Sequence, residues 1–203
     1  MSYKVNYDFY KEYLYNDKFK ELFNKRKTMI KKKYYFTHSD DELVKEYFVE
    51  IFSWSVIPYN LLLEITEILD THKFMNRIID PCSGNSFHSF LFNEFCNKNV
   101  ISIDIQPEKL SWIDTIEEDG LEFIKNNYTS NDCILLSWID YDDLAYNLLY
   151  NFKGNIVISI GNYENISFQY LDFLEANFVL IKKYILHMPW DHTEQIKIYK
   201  RNK

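Results

Sequence analysis

From Arg77 to its end the chain alternates short apolar runs with helix-length amphipathic segments, and few folds accept that rhythm. Residues 77–80, Val100–Asp104, Cys133–Ser137 and 156–160 are runs of four or five residues rich in Ile and Val. Stretches near 86–97, 119–127, 141–151 and 167–176 carry helical spacing between them. Runs of this kind, spaced by a helix, are parallel strands buried on both faces by crossover connections. The end breaks the pattern. Two strand-like segments, 178–186 and 194–199, are separated only by the turn at Met188-Pro189-Trp190-Asp191, which predicts an antiparallel hairpin. The expected fold class is α/β: a doubly wound, mostly parallel sheet ending in an antiparallel hairpin, with helices before it.

Those helices come from the first third of the chain. Residues 1–36 are rich in Tyr and Lys, contain Lys25-Arg26-Lys27 and Lys31-Lys32-Lys33, and place Phe9, Tyr13, Phe19 and Phe23 at loose helical intervals. They predict a helical extension over 1–38 ahead of an α/β domain over 39–203. Ser39-Asp40-Asp41-Glu42 is a capping box, in which the serine and glutamate side chains satisfy each other's backbone N–H groups. The apolar stripe Leu43, Val44, Tyr47, Phe48, Ile51 and Phe52 follows it. Pro58, at a first-turn position, opens a second helix bearing Leu61, Leu62, Ile65, Ile68 and Leu69.

Composition narrows the functional classes. Four glycines in 203 residues are too few for small barrels and sandwiches that spend one at every turn. A net charge of −7 has the wrong sign for coating nucleic acid. The cations of 25–33 read as a solvated helix face, since no aromatic side chains interleave with them for base stacking, and a nucleic-acid partner is not favoured. Three cysteines without a CxxC pair, no apolar leader and no run of about 18 apolar residues predict an intracellular, cytoplasmic protein with no membrane span.

The chemistry gathers after the first strand. Ile78-Ile79-Asp80-Pro81-Cys82-Ser83-Gly84-Asn85-Ser86 runs from strand through turn to a helix with Phe87, Phe90, Leu91 and Phe95. In doubly wound sheets that carboxyl edge is where nucleotide-like ligands bind. Twenty positions after Gly84, Asp104 ends the second strand, where a carboxylate can accept both ribose hydroxyls. An ordinary one-glycine connection and an acid before a turn are the plainer alternatives. A nicotinamide fingerprint is absent, because Phe87 stands where its third glycine belongs, and no phosphate-binding Gly-Lys-Ser/Thr follows any strand.

Over roughly residues 45–200 the chain resembles the class I S-adenosylmethionine-dependent methyltransferases, Rossmann-like proteins whose first motif is an acid-led D/E-x-G-x-G-x-G and whose sheet ends in an antiparallel pair. Ser53-Trp54-Ser55-Val56-Ile57-Pro58 and Ser137-Trp138-Ile139-Asp140-Tyr141 are similar to Ser-Trp-Ala-Ile-Pro-like and Ser-Trp-Pro-Pro-Tyr-like segments of one uncharacterised group. The resemblance implies S-adenosylmethionine as cofactor, with Asp80, Cys82, Gly84 and Ser86 at its amino acid part, Asp104 on its ribose and Ser137 beside them. Asp119 resembles the acid that receives the adenine amine, or it is an acid favoured by the N-terminus of a helix. Of the motif's three glycines only Gly84 remains. Cys82 and Ser86 replace the others, with side chains able to narrow the pocket.

The resemblance further implies methyl transfer to an unspecified acceptor, small molecule or macromolecule. Asp140 then serves as base or amine anchor, and Tyr141 or Trp138 holds a flat or cationic acceptor. Alternatively Asp140 caps the following helix while the aromatics cover the sheet edge. The Asp/Asn-Pro-Pro-Tyr tip of enzymes that methylate nucleobase amines is missing, and nucleobase amine methylation is not supported. No base is identified for the Cys82 thiol, and His187 and His192 flank a turn with too few ligands for a metal. A second reading is a catalytically degenerate member kept as a binding, scaffold or regulatory module.

Overall fold

In a computed structural model, which describes residues 7–34, 40–72, 77–127, 129–139, 143–162, 167–188 and 193–202, the chain forms one seven-stranded sheet flanked by helices. A 3-10 helix (Tyr7–Tyr15) leads into α1 (Asp17–Tyr34), α2 (Asp40–Ile51) and α3 (Tyr59–Asp70). The rest alternates: β1 (Ile78–Asp80), α4 (Phe87–Glu94), β2 (Val100–Asp104), β3 (Thr115–Glu117), α5 (Gly120–Asn127), β4 (Cys133–Ser137), α6 (Leu144–Asn151), β5 (Ile156–Gly161), α7 (Phe168–Asn177), β6 (Phe178–His187) and β7 (Thr193–Arg201). Strand order is β3-β2-β1-β4-β5-β7-β6, parallel except for β7, which runs antiparallel to both β5 and β6. This is the doubly wound sheet with a terminal hairpin that the run-and-helix rhythm requires.

Strand periodicity divides the buried side chains between two layers. Ile78, Cys133, Leu135, Ile156 and Ile158 face one core, and their neighbours Ile79, Ile134, Leu136 and Val157 face the other. The second core is closed by α5, α6 and α7 through residues such as Ile124, Leu148 and Leu174. The first is closed by the N-terminal helices and α4, and it is dense in aromatics: Phe19 lies 5.0 Å from the Trp112 ring and Phe52 5.3 Å from Phe87.

Two local features differ from the sequence expectations. β3 was not foreseen, because this edge strand is three residues long and half exposed and lacks an Ile/Val run. Pro58 stands at the N-cap of α3, one position outside it, with φ −58°. Between β2 and β3 the ten residues 105–114 form no helix. Trp112 fills the gap from below, and α1 packs over it through Phe19. The segment expected as an extension thus shares one core with the sheet. The capping serine Ser39 lies outside the described residues.

Candidate functional site

Two clefts open at the carboxyl ends of β1, β2 and β4, on either side of the turn after β1. The inner one, about 440 Å³, lies among Pro81, Cys82, Gly84, Asp104, Ile105, Gln106, Asp119, Gly120, Leu121, Trp138, Ile139 and Leu144. The outer one, about 590 Å³, is bounded by the same turn, by His88, Ser137 and Trp138, and by Met29, Lys33, Val49, Glu50 and Trp54 from the N-terminal third. Cys82, Gly84 and Trp138 line both.

The turn is built by backbone hydrogen bonds that cross from one strand tip to the next. Asp104 Oδ2 accepts from Gly84 N at 2.8 Å and Oδ1 accepts from Gln106 N at 2.9 Å, so this carboxylate pins the turn to the end of β2. Each oxygen keeps a second lone pair for a ligand hydroxyl. Gly84 has φ +55°, and a Cβ there would meet open space, so the backbone lies bare to the cleft. Gly120 is needed for a different reason. A Cβ there would fall 1.9 Å from the Pro81 carbonyl oxygen, so the start of α5 seats directly on the turn.

The residues that replace the motif glycines behave differently from each other. Ser86 takes φ +66°, the left-handed backbone a glycine would supply, and is fully buried. Its Oγ shares a 2.5 Å hydrogen bond with Thr115 Oγ1, which in turn meets Ser102 Oγ at 3.0 Å. The side chain is therefore engaged beneath the turn and lines neither cleft. Cys82 stands at the junction of the clefts, its thiol pushed up to about 12 by burial, reinforced by Asp80, Asp104 and Asp119. It stays a neutral wall.

Asp80, at the tip of β1, is buried, and burial raises its carboxyl to about 7 despite a 2.7 Å hydrogen bond donated by Ser89 Oγ. Beside it His88 shares a 3.1 Å hydrogen bond between Nδ1 and Ser137 Oγ, and burial lowers its imidazole to about 4. Asp119 caps α5: Oδ1 accepts from Leu121 N at 2.8 Å and from Glu122 N at 3.0 Å, while Oδ2 is outside that cap. Ser137 lines the outer cleft. Asp140 and Tyr141, the expected catalytic pair, lie outside the described residues, as do Asp191 and His192.

Trp138, expected from sequence either as an acceptor contact or as cover for the sheet edge, is tightly constrained. It adopts φ +54°, an outlier for a bulky side chain. Its backbone N–H donates to Ile160 O at 2.9 Å and its Nε1–H to Ser55 Oγ at 2.5 Å. Ser55 in turn donates to the buried Glu194 carboxylate on β7. Arg26, read from sequence as part of a solvated basic run, is also buried. Its guanidinium donates to the backbone oxygens of Ile51, Glu50 and Leu110 and to Glu108, joining α1, the end of α2 and the 105–114 segment into the outer wall. Only the loose helical spacing of Phe19 and Phe23, following Tyr13, in the sequence hinted that this face of α1 is interior.

Among the described residues no cluster of His, Cys, Asp and Glu is arranged to hold a metal, and no helix is long and apolar enough to cross a membrane. No protein-family model and no curated protein matches the chain. Among solved structures it is similar to an S-adenosylmethionine-dependent methyltransferase from Archaeoglobus fulgidus, at 13% identity over 75% of this chain and 97% of that one, TM-score 0.49. Magnesium protoporphyrin IX methyltransferase from Synechocystis, with bound SAH, is similar at 10% identity over 81% and 100%, TM-score 0.49. So is 1,6-didemethyltoxoflavin-N1-methyltransferase from Burkholderia thailandensis, at 10% identity over 70% and 78%, TM-score 0.48. At identities this low and TM-scores below 0.5, the chemistry of the site has to be read from its own residues.

Proposed function

We propose that the chain is an S-adenosylmethionine-dependent methyltransferase. The observation that carries this reading is the inner cleft, floored by the bare Gly84 backbone and flanked by Asp104 at the tip of β2 and Asp119 at the start of α5. Two carboxylates facing a neutral, partly apolar cavity at a topological switch point suit a nucleoside without phosphates, for which no cationic cradle is needed. The residues fit the cofactor: the Ser86 side chain is engaged beneath the turn, and no side chain crosses the space above Gly84.

When bound there, the cofactor supplies an activated methyl group. Asp104 accepts the ribose hydroxyls with the lone pairs its two backbone donors leave free, and Asp119 Oδ2 accepts the amine of the base. Asp80 holds the charged amino acid end near the junction, and Cys82 and Trp138 exclude water there. Ser137 and His88, a hydrogen-bonded neutral pair, face the outer cleft, where the acceptor enters. Ser53, Trp54, Ser137 and Trp138, from the two segments that resemble one uncharacterised group, belong to that acceptor side. Three free thiols suit a cytoplasmic location.

Calorimetric titration of the full chain with S-adenosylhomocysteine tests the reading. Binding in the micromolar range is expected, weakened at least tenfold by Asp104→Ala, which removes both the ligand's acceptor and the anchor of the turn. No heat at millimolar ligand would sink it.

A further inference from the structure

We infer that the outer cleft selects a small planar ring compound as methyl acceptor, gripped at its mouth by the indoles of Trp54 and Trp138. The inference rests on the methyltransferase reading and specifies its substrate class. The two rings lie 5.6 Å apart between centroids and are tilted by 36°, and both line the outer cleft. Trp54 is 45% exposed and its indole meets that of Trp138 in the lining of the cleft, which puts aromatic surface at the rim. Trp138 is held in a left-handed backbone by a relay through Ser55 to a buried carboxylate on β7. Strain kept in place by a dedicated network marks a side chain whose orientation matters.

Charge and size separate the candidate acceptors. Lys33 is paired with Glu50 at 2.5 Å and Glu108 with the buried Arg26 at 3.0 Å, so both are met within the protein, and Lys109 is the other cationic side chain that lines the cleft. The deep end presents a Ser137 hydroxyl and an imidazole that burial keeps neutral. A chain of net charge −7 with such a cleft has little to offer a polyphosphate strand. The cavity of about 590 Å³ accommodates a one- or two-ring compound stacked on an indole face, with a polar edge directed at Ser137. A ring nitrogen or oxygen forms the new bond to the methyl carbon as the carbon–sulfur bond breaks. The electron pair returns to sulfur, leaving a thioether, and the acceptor's proton passes to water.

The test uses the full chain saturated with S-adenosylmethionine and two pairs of probes: catechol against cyclohexane-1,2-diol, and 4-hydroxyquinoline against its fully saturated counterpart. Methylated product is measured by mass spectrometry. The planar member of each pair is expected to react with at least tenfold higher kcat/KM, and Trp54→Ala to lower that value about tenfold through KM. The same variant should leave S-adenosylhomocysteine affinity within about twofold, because Trp54 does not line the inner cleft. Equal use of saturated probes, failure of every planar probe in a protein that binds S-adenosylhomocysteine, an unaffected Trp54→Ala variant, or methylation confined to added RNA or protein would each overturn the inference. Failure to bind S-adenosylhomocysteine at all would instead remove the methyltransferase reading beneath it.

Discussion

The two clefts meet at the same turn yet are made in different ways. The inner cleft is a product of the backbone: strand tips, one bare glycine, and carboxylates that accept main-chain N–H groups within some twenty residues of sequence. The outer cleft is a product of side chains brought together from afar, with Arg26 on α1 reaching a carbonyl 84 positions away. A backbone cleft is fixed as soon as the sheet forms and tolerates little variation. A cleft walled by packed helices can change shape with the residues on those helices while the sheet stays as it is. A molecule that must keep one ligand constant and choose another would separate the two in this way.

The largest expected effect comes from breaking the wall. Phe19 is fully buried and touches Tyr13, Phe23, Phe52, Phe87, Phe90, Phe95 and Trp112. Phe19→Ala should cost about 3–5 kcal/mol in urea unfolding, the usual range for an aromatic cavity in a packed core. If α1 were an appendage, the same variant would leave the main transition unmoved, and the contrast between a self-sufficient sheet and a built-on wall would have to be redrawn.

A second effect belongs to the junction. Because burial raises the Asp80 carboxyl to about 7 in the folded chain, the native state holds its proton where the unfolded chain, near 4, has already lost it. Its contribution to stability is therefore largest below pH 4, declines as pH rises to 7, and is constant above. His88 acts oppositely: an imidazole lowered to about 4 loses stability as pH falls from its ordinary 6.5. The two are separated by variants. Subtracting the unfolding free energy of Asp80→Asn from that of the native chain should give a difference that declines between pH 4 and 7 by a few kcal/mol. A flat difference would mean that Asp80 is solvated and that the junction is wet.

Sequence made the sheet and the strand-tip acids legible and left the helical wall of the outer cleft obscure, and the reason is physical. Alternating apolar runs and helix-length gaps fix the sheet, and the acids at 80, 104 and 119 fall at strand or helix ends, where local spacing alone places them. The wall has no local signature. Arg26 looks like its neighbours Lys25 and Lys27, which are not buried, and only tertiary contact with three backbone oxygens distinguishes it. Ser86 is hard to read for a related reason. Its identity suggested a side chain in the pocket, whereas its left-handed backbone and Thr115 partner send that side chain beneath the turn.

The smallest effect tests the inner cleft itself. Asp119 serves as the cap of α5 through one oxygen, so stability and the proposed ligand contact would draw on different atoms of the same carboxylate. Asp119→Ala removes the cap and should cost about 1 kcal/mol. Asp119→Asn keeps an oxygen for Leu121 and Glu122 and should unfold like the native chain, yet it turns an amide toward an incoming amine donor. S-adenosylhomocysteine should then bind about tenfold more weakly to Asp119→Asn at unchanged stability. If the asparagine variant binds as well as the native chain, Asp119 is a helix cap alone, and the proposed nucleoside contacts reduce to Asp104 and the backbone.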